Sequence, residues 1–349
     1  MDLKLSSSPT TKLFEEPLDF SLVQGGPLFQ LCRRMHLSDD ALELLRRRVL
    51  AAVLLTWVPL LVLSFIEGHA LTGTIKVPFL YDIDTHARFL LALPLLMVGE
   101  LVVHKRLRTV TREFLERGIV TEAGRAKFDS AIASAMRWRN SMVAEVLLIA
   151  GAYLIGVLLI WRRHAALETV TWYSVPTGGK LDLSLAGWWL GYVSLPLFQF
   201  MLFRWYFRLF IWARFLWQVS RAELRLVPTH PDRAGGLGFL STLSHSFQPL
   251  LMAQGILFAG VFANAIFFGG AKLPQFKLEI IGVVLLSVLF VLGPLLAFVP
   301  CLASTKRVGL REYGTLAQRY VLEFDRKWLR GGAGGQRRHP VTGGPGQQL

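Results

Sequence analysis

Apolar runs of bilayer-spanning length recur six times along the chain, at residues 49–66, 88–103, 142–161, 185–204, 247–268 and 278–299. A helix rising 1.5 Å per residue crosses a hydrocarbon core of ~30 Å with roughly 20 apolar residues. The pattern therefore predicts an all-α fold, a polytopic membrane bundle of six transmembrane helices. Between the second and third runs the apolar positions become amphipathic. Leu107, Val110, Phe114 and Leu115 keep helical spacing, Gly118 supplies a C-terminal stop, and Thr121 can cap a new helix with Glu122 in its first turn. Phe128, Ile132, Ala135 and Met136 continue that helix. Residues 104–140 are thus expected to form an antiparallel helical hairpin projecting from the membrane, either a stiff connector or a stalk for a partner.

The flanks divide the chain into three regions. Residues 1–37 form a mixed N-terminal segment broken by Gly25-Gly26-Pro27. Residues 38–330 form the membrane domain. Ser38 is its expected first N-cap, with Asp39 and Asp40 in the first turn and Glu43 and Arg47 as an i,i+4 pair. Near its end, Tyr313, Leu316, Ala317, Tyr320 and Phe324 make an apolar stripe on a basic helix. Residues 331–349 are Gly-rich without apolar period and are expected to be disordered.

Composition agrees, with 53% hydrophobic residues and a mean hydropathy of +0.44. A net charge of +14 would suggest nucleic acid in a soluble chain. Its distribution removes that reading. With the N-terminus cytoplasmic, 31 of the 38 Lys and Arg fall on the cytoplasmic side or its edge. Lys/Arg-rich short loops stay inside, so both termini are expected in the cytoplasm, and the excess charge faces anionic lipid rather than nucleic acid. The two cysteines, Cys32 and Cys301, then lie on the reducing side, and a disulfide is not expected.

Polar groups inside a bilayer are costly and tend to mark function. Glu100 and Glu145 lie about a turn from the cytoplasmic ends of the second and third spans. Arg204 and Arg208 leave the fourth span at that level, and His245 and Gln248 open the fifth. Pairing of both glutamates with arginines is the simplest arrangement, as a static lock or as a gate. From Phe203 onward, arginines including Arg214, Arg221 and Arg225 alternate with aromatic residues. That fits a helix leaving the membrane and lying at the interface, or an Arg-lined vestibule for an anion. In the fifth span Gly255, Ala259 and Ala263 form a small-residue row suited to close packing, with Gly260 and Asn264 on the neighbouring row. Asn264 is expected to make an interhelical hydrogen bond. Pro59, Pro94, Pro196 and Pro294 fall inside four other spans.

The densest motif is His230-Pro231-Asp232-Arg233-Ala234-Gly235-Gly236, within a loop at 226–246. Glycine-rich turns before helices can present amide N–H groups to an anion, and Arg233 would add charge. The structural alternative is a plug in which Asp232 caps the turn. The loop is expected to fold back against the cytoplasmic ends of the spans. On the outer side His69, Asp82, Asp84 and His86 are weak candidates for a divalent cation, and Asp84 could equally cap the second span. No nucleotide-binding loop, metalloprotease pair or nucleophile elbow is present, no cofactor is implied, and catalysis is not expected.

The stretch from Ser194-Leu195-Pro196-Leu197 through Arg204-Trp205-Tyr206-Phe207-Arg208 to the His230–Gly236 motif resembles an uncharacterised group of bacterial multi-span membrane proteins. The resemblance covers most of residues 40–330. It implies a bacterial inner-membrane location and carries no activity or functional residue with it. That group continues, after a segment like Lys327-Trp328, into more ordered sequence and further hydrophobic stretches. The Gly-rich tail departs from that pattern and points to a truncated or frame-shifted C-terminus. The sequence therefore supports an integral membrane protein that moves or senses a small solute or anion. The alternative is a scaffold or signalling subunit whose basic helices dock a protein partner or a second copy.

Overall fold

The computed structural model describes residues 41–71, 75–167, 171–177 and 180–330. The expected Ser38 cap, the Glu43 side chain, Cys32, the 1–37 segment and the 331–349 tail lie outside the described residues. The chain divides into two compact units, one of residues up to Arg225 together with Leu237–Val299, the other of Leu226–Gly236 together with residues from Pro300 onward.

The first unit is a helical bundle. Its helices are α1 (Ala41–Thr56), α2 (Val58–Ile66), α3 (Ile83–Glu116), α4 (Glu122–Arg139), α5 (Met142–Leu167), α6 (Leu185–Val219), α7 (Gln248–Phe267) and α8 (Lys277–Leu292). By length and composition five helices of the chain can cross a membrane, or six if α4 and the Met142–Gly156 part of α5, bent by 47° at the break between them, count as one span. A short antiparallel hairpin, Ser174–Thr177 with Lys180–Leu183, precedes α6. Many apolar side chains face outward, including Leu54, Val62, Leu147, Leu154, Leu285 and Leu289. That surface is stable only against acyl chains.

Each intramembrane proline marks a change in helical winding. Pro59 opens α2 after a break at Trp57. Pro94 and Pro196 each follow a π-helical turn, at Ala87–Ala92 and Leu190–Ser194. Proline removes one amide donor and crowds the carbonyl four residues back. Widening the preceding turn relieves both, as π-bulges do. Pro294 sits in a tightened 3₁₀ segment, Gly293–Phe298.

The hairpin forms where its caps predict. Gly118 takes φ 61° after α3, and Thr121 Oγ1 accepts from the Gly124 amide. It does not stand free, however. Phe128 packs on Phe215, Phe114 packs on Phe128, Phe239 and Phe298, and all of these rings are buried. Gly124 lies against the Glu223 carbonyl, where a Cβ would collide. The apolar stripe of the hairpin is thus spent on α6. Conversely, α6 does not turn onto the interface after Arg204. It runs unbroken to Val219, and 35 residues span about 52 Å, well beyond a ~30 Å core. Trp205, Trp212 and Phe215, expected at the headgroups, are fully buried.

The packing face of α7 also differs from the expected row. Gly255 and Ala259 are exposed, and a Cβ at Gly255 would meet nothing. The buried row is Leu250, Ala253, Gln254 and Gly260. At Gly260 a Cβ would come within 3.0 Å of Ala87 Cβ and Asp84 Cα, so glycine permits this crossing.

The second unit contains the Leu226–Gly236 loop and, from Pro300 onward, the helix α9 (Val299–Phe324). Pro228 lies directly on Gly309, the one buried residue of α9, and a Cβ there would clash with the ring.

Candidate functional site

Two polar centres are built into the first unit, one at the start of α3 and one near its middle. At its start, Asp82 is buried and accepts four hydrogen bonds. They come from Thr85 N at 3.2 Å, Thr85 Oγ1 at 2.6 Å, Trp172 Nε1 at 2.8 Å and Asn264 Nδ2 at 2.6 Å. Asn264 Oδ1 in turn accepts from Ile83 N at 3.0 Å. Asp82, rather than Asp84, is the N-cap. Asp84 instead forms a buried ion pair with Arg88, at 2.8 Å. His86 Nδ1 accepts from Trp57 Nε1 at 3.0 Å, and its Nε2 lies 3.1 Å from Leu80 O. Ser184 is the N-cap of α6, Glu67 accepts from the first amide of that helix, Leu185 N, at 2.6 Å, and His69 lies 4.0 Å from that carboxylate.

Among the described residues the candidate metal ligands do not converge on one metal site. Both Asp82 oxygens and both His86 nitrogens already have protein partners, and among the described residues no group of three His, Cys, Asp or Glu could hold a metal ion. Asn264 makes the interhelical bond expected of it, to Asp82 and Ile83 at the start of α3.

The second centre lies about halfway along α3. Glu100 Oε1 and Arg208 Nη1 are 2.7 Å apart, and both side chains are 5% exposed. The helices meet closely here because Gly99 leaves room: a Cβ would sit 2.7 Å from Pro249 Cβ and 2.9 Å from Trp205 Cζ2. Trp205 Nε1 donates to Leu96 O at 3.0 Å, and Gln254 Nε2 donates to Tyr206 OH at 2.6 Å. The Arg208 guanidinium lies 5.8 Å from the Trp205 ring centre. These contacts fix α6 against α3 and α7 around the pair.

The charge at this centre is unbalanced. Arg204 and Arg48 also lie close enough to act electrostatically on both Glu100 and Arg208. Three guanidinium groups thus surround one carboxylate. Nη1 of Arg208 is spent on Glu100 Oε1, while Nη2 is buried without a hydrogen-bond partner. Buried polar groups are normally satisfied, so this guanidinium is a cation with donors to spare.

Other expected members do not join it. Glu145 makes no ion pair among the described residues, and its Oε2 is buried without a hydrogen-bond partner. It lies in the first turn of α5. His245 is exposed and contacts Gln248 at 3.2 Å. Arg48 was not legible as a member, because a run Arg46-Arg47-Arg48 before the first span reads as ordinary cytoplasmic charge.

The His230–Gly236 motif belongs to the second unit. Asp232 Oδ1 accepts from the amides of Ala234 at 2.9 Å and Gly236 at 3.1 Å, and lies 2.7 Å from His230 Nδ1. Arg233, Gly235 and Gly236 take φ of 56°, 65° and 101°. The amides expected to meet an external anion are thus already filled by the loop's own carboxylate. Gly235 and Gly236 supply the left-handed turns that let it do so.

No family model, curated protein or solved structure matches this chain.

Proposed function

We propose that this multi-pass membrane protein moves or senses a small anionic solute at the Glu100–Arg208 centre, with both termini in the cytoplasm of a bacterial cell and no catalytic chemistry. The observation that carries the proposal is the Arg208 guanidinium, buried yet with donors unused, beside Arg204 and Arg48 and a single carboxylate. A charge kept inside a membrane at such cost tends to serve an ion or proton path. Glu100 holds Arg208 in place while the site is empty, and an arriving anion takes over its donors. The loop at 226–236 is assigned a structural role. The test is uptake of inorganic phosphate, sulfate, chloride or acetate into proteoliposomes. Flux that disappears in Arg208→Gln supports the proposal, and absence of flux for all four in the unaltered protein removes transport.

One observation favours a second reading. On α9, Leu310, Tyr313, Leu316, Tyr320 and Phe324 are exposed along one basic helix. Such a stripe suits a protein partner or a second copy. Crosslinking through cysteines at Leu316 and Tyr320 would report a homo-oligomer directly.

A further inference from the structure

We infer that the groove between α6 and the cytoplasmic half of α8 is a binding site for one anionic glycerophospholipid, of the phosphatidylglycerol type. The groove has a volume of about 710 Å³ and an almost wholly apolar lining, including Tyr206, Phe210, Trp217, Leu289 and Pro294. That volume lies within the ~300–1,000 Å³ of small-molecule sites. It exists because α8 tightens into the Gly293–Phe298 segment, and because Ala213, Gly293 and Ala297 leave its floor low. The Tyr206 and Phe290 rings, 5.4 Å apart, close one end.

The surroundings identify the occupant. No residue of α8 is buried, and Leu278, Val284, Leu285 and Leu289 are all exposed. In a membrane this helix faces acyl chains, so the groove opens onto lipid. Arg214 is the charged residue of the lining. Its Nε is buried without a hydrogen-bond partner, and its guanidinium is held 5.5 Å from the Trp138 ring centre. One turn further, Gln218 Oε1 is also buried without a partner. Arg214 lies eight residues beyond Tyr206, about 12 Å along the helix and toward the end proposed to face the cytoplasm. A phospholipid matches this order: a chain along Tyr206, Phe210 and Leu289, and a phosphate on Arg214. Trp217, beside Arg214, sits where indole rings favour the headgroup level.

The test uses the full-length protein in vesicles carrying chain-brominated phosphatidylglycerol or chain-brominated phosphatidylcholine. The readout is the quenching of Trp217, taken as the difference between the unaltered protein and Trp217→Phe. Phosphatidylglycerol should bind about fivefold more tightly than phosphatidylcholine, the worth of one arginine at a membrane surface. Arg214→Lys should keep the preference and Arg214→Gln should abolish it. Ala297→Phe, which fills the floor, should weaken quenching by both lipids while leaving Arg214 in place. Equal quenching by the two lipids in the unaltered protein would mean an unselective annular lipid only and would overturn the inference. So would no Trp217 quenching, or a preference that survives Arg214→Gln.

Discussion

Glu100 and Arg208 lie on different helices, 2.7 Å apart, each buried from water on all sides, with guanidinium donors left over. A buried pair of this kind is weak evidence for stability, because desolvating both ions offsets their attraction. Breaking it from one side is another matter. Glu100→Leu should strand Arg208 beside Arg204 and Arg48 and destabilise the protein by roughly 3–5 kcal/mol. Glu100→Leu combined with Arg208→Met should recover most of that loss. Unfolding in mixed micelles measures both, and a double variant no more stable than the single one would contradict the pairing.

The Asp82 centre should behave as a cooperative hydrogen-bonded knot. Asp82→Ala removes the cap of α3 and leaves Trp172 Nε1 and Asn264 Nδ2 without an acceptor. Loss of the cap alone is worth about 1 kcal/mol. A double-mutant cycle between Asp82→Ala and Asn264→Ala should give a coupling of about 0.6–1.7 kcal/mol, the range for interhelical bonds in membranes. Additive effects would separate the two residues. Manganese, zinc and calcium should leave the melting temperature unchanged, since each ligand atom of Asp82 and His86 already has a protein partner.

The 226–236 loop should depend on Asp232 as its internal anion. Asp232→Ala frees the Ala234 and Gly236 amides and should raise the open population about fivefold, for a loss of roughly 1 kcal/mol. Trypsin cleavage after the exposed Arg233 reports this opening. Gly236→Val should do more, because φ of 101° is closed to a β-branched residue. Asp232→Ala that leaves the cleavage rate unchanged would show that the carboxylate does not hold the turn.

Orientation has its own test. Reporters fused after residues 75, 175 and 273 should lie outside, and those after 120, 230 and 320 inside. One inverted reporter would break the six-span reading and place Arg214 in the wrong leaflet.

The helices were legible because their signals are local. Apolar run length marked the spans, and Gly118 with Thr121 marked the hairpin turn to the residue. What needed three dimensions was which face packs on which. In α7 the rows Gly255/Ala259/Ala263 and Gly260/Asn264 are equivalent on a helical wheel. Only the closeness of Ala87 and Asp84 selects the second. The aromatic stretch of α6 likewise fits a headgroup belt or a core, and the rings of Phe114 and Phe128 decide for the core. Glu100 and Arg208 were readable as costly intramembrane charges. The absence of an ion pair at Glu145 was not, because the helical pattern does not say which arginine faces it. Asp232 as its own loop's ligand was likewise hidden, since the sequence carries a carboxylate and a glycine turn without saying that one fills the other.

The central claim is that Arg208 receives a small anion whether the protein moves it or senses it. The most direct measurement is the melting temperature of the purified protein against concentration of chloride, acetate, sulfate and inorganic phosphate at constant ionic strength. A ligand at 100 times its dissociation constant stabilises the native state by about 2.7 kcal/mol. A saturable rise is expected with at least one of the four anions, absent in Arg208→Gln and retained in Asp232→Ala. A flat response to all four, or a rise that Arg208→Gln leaves intact, would contradict it.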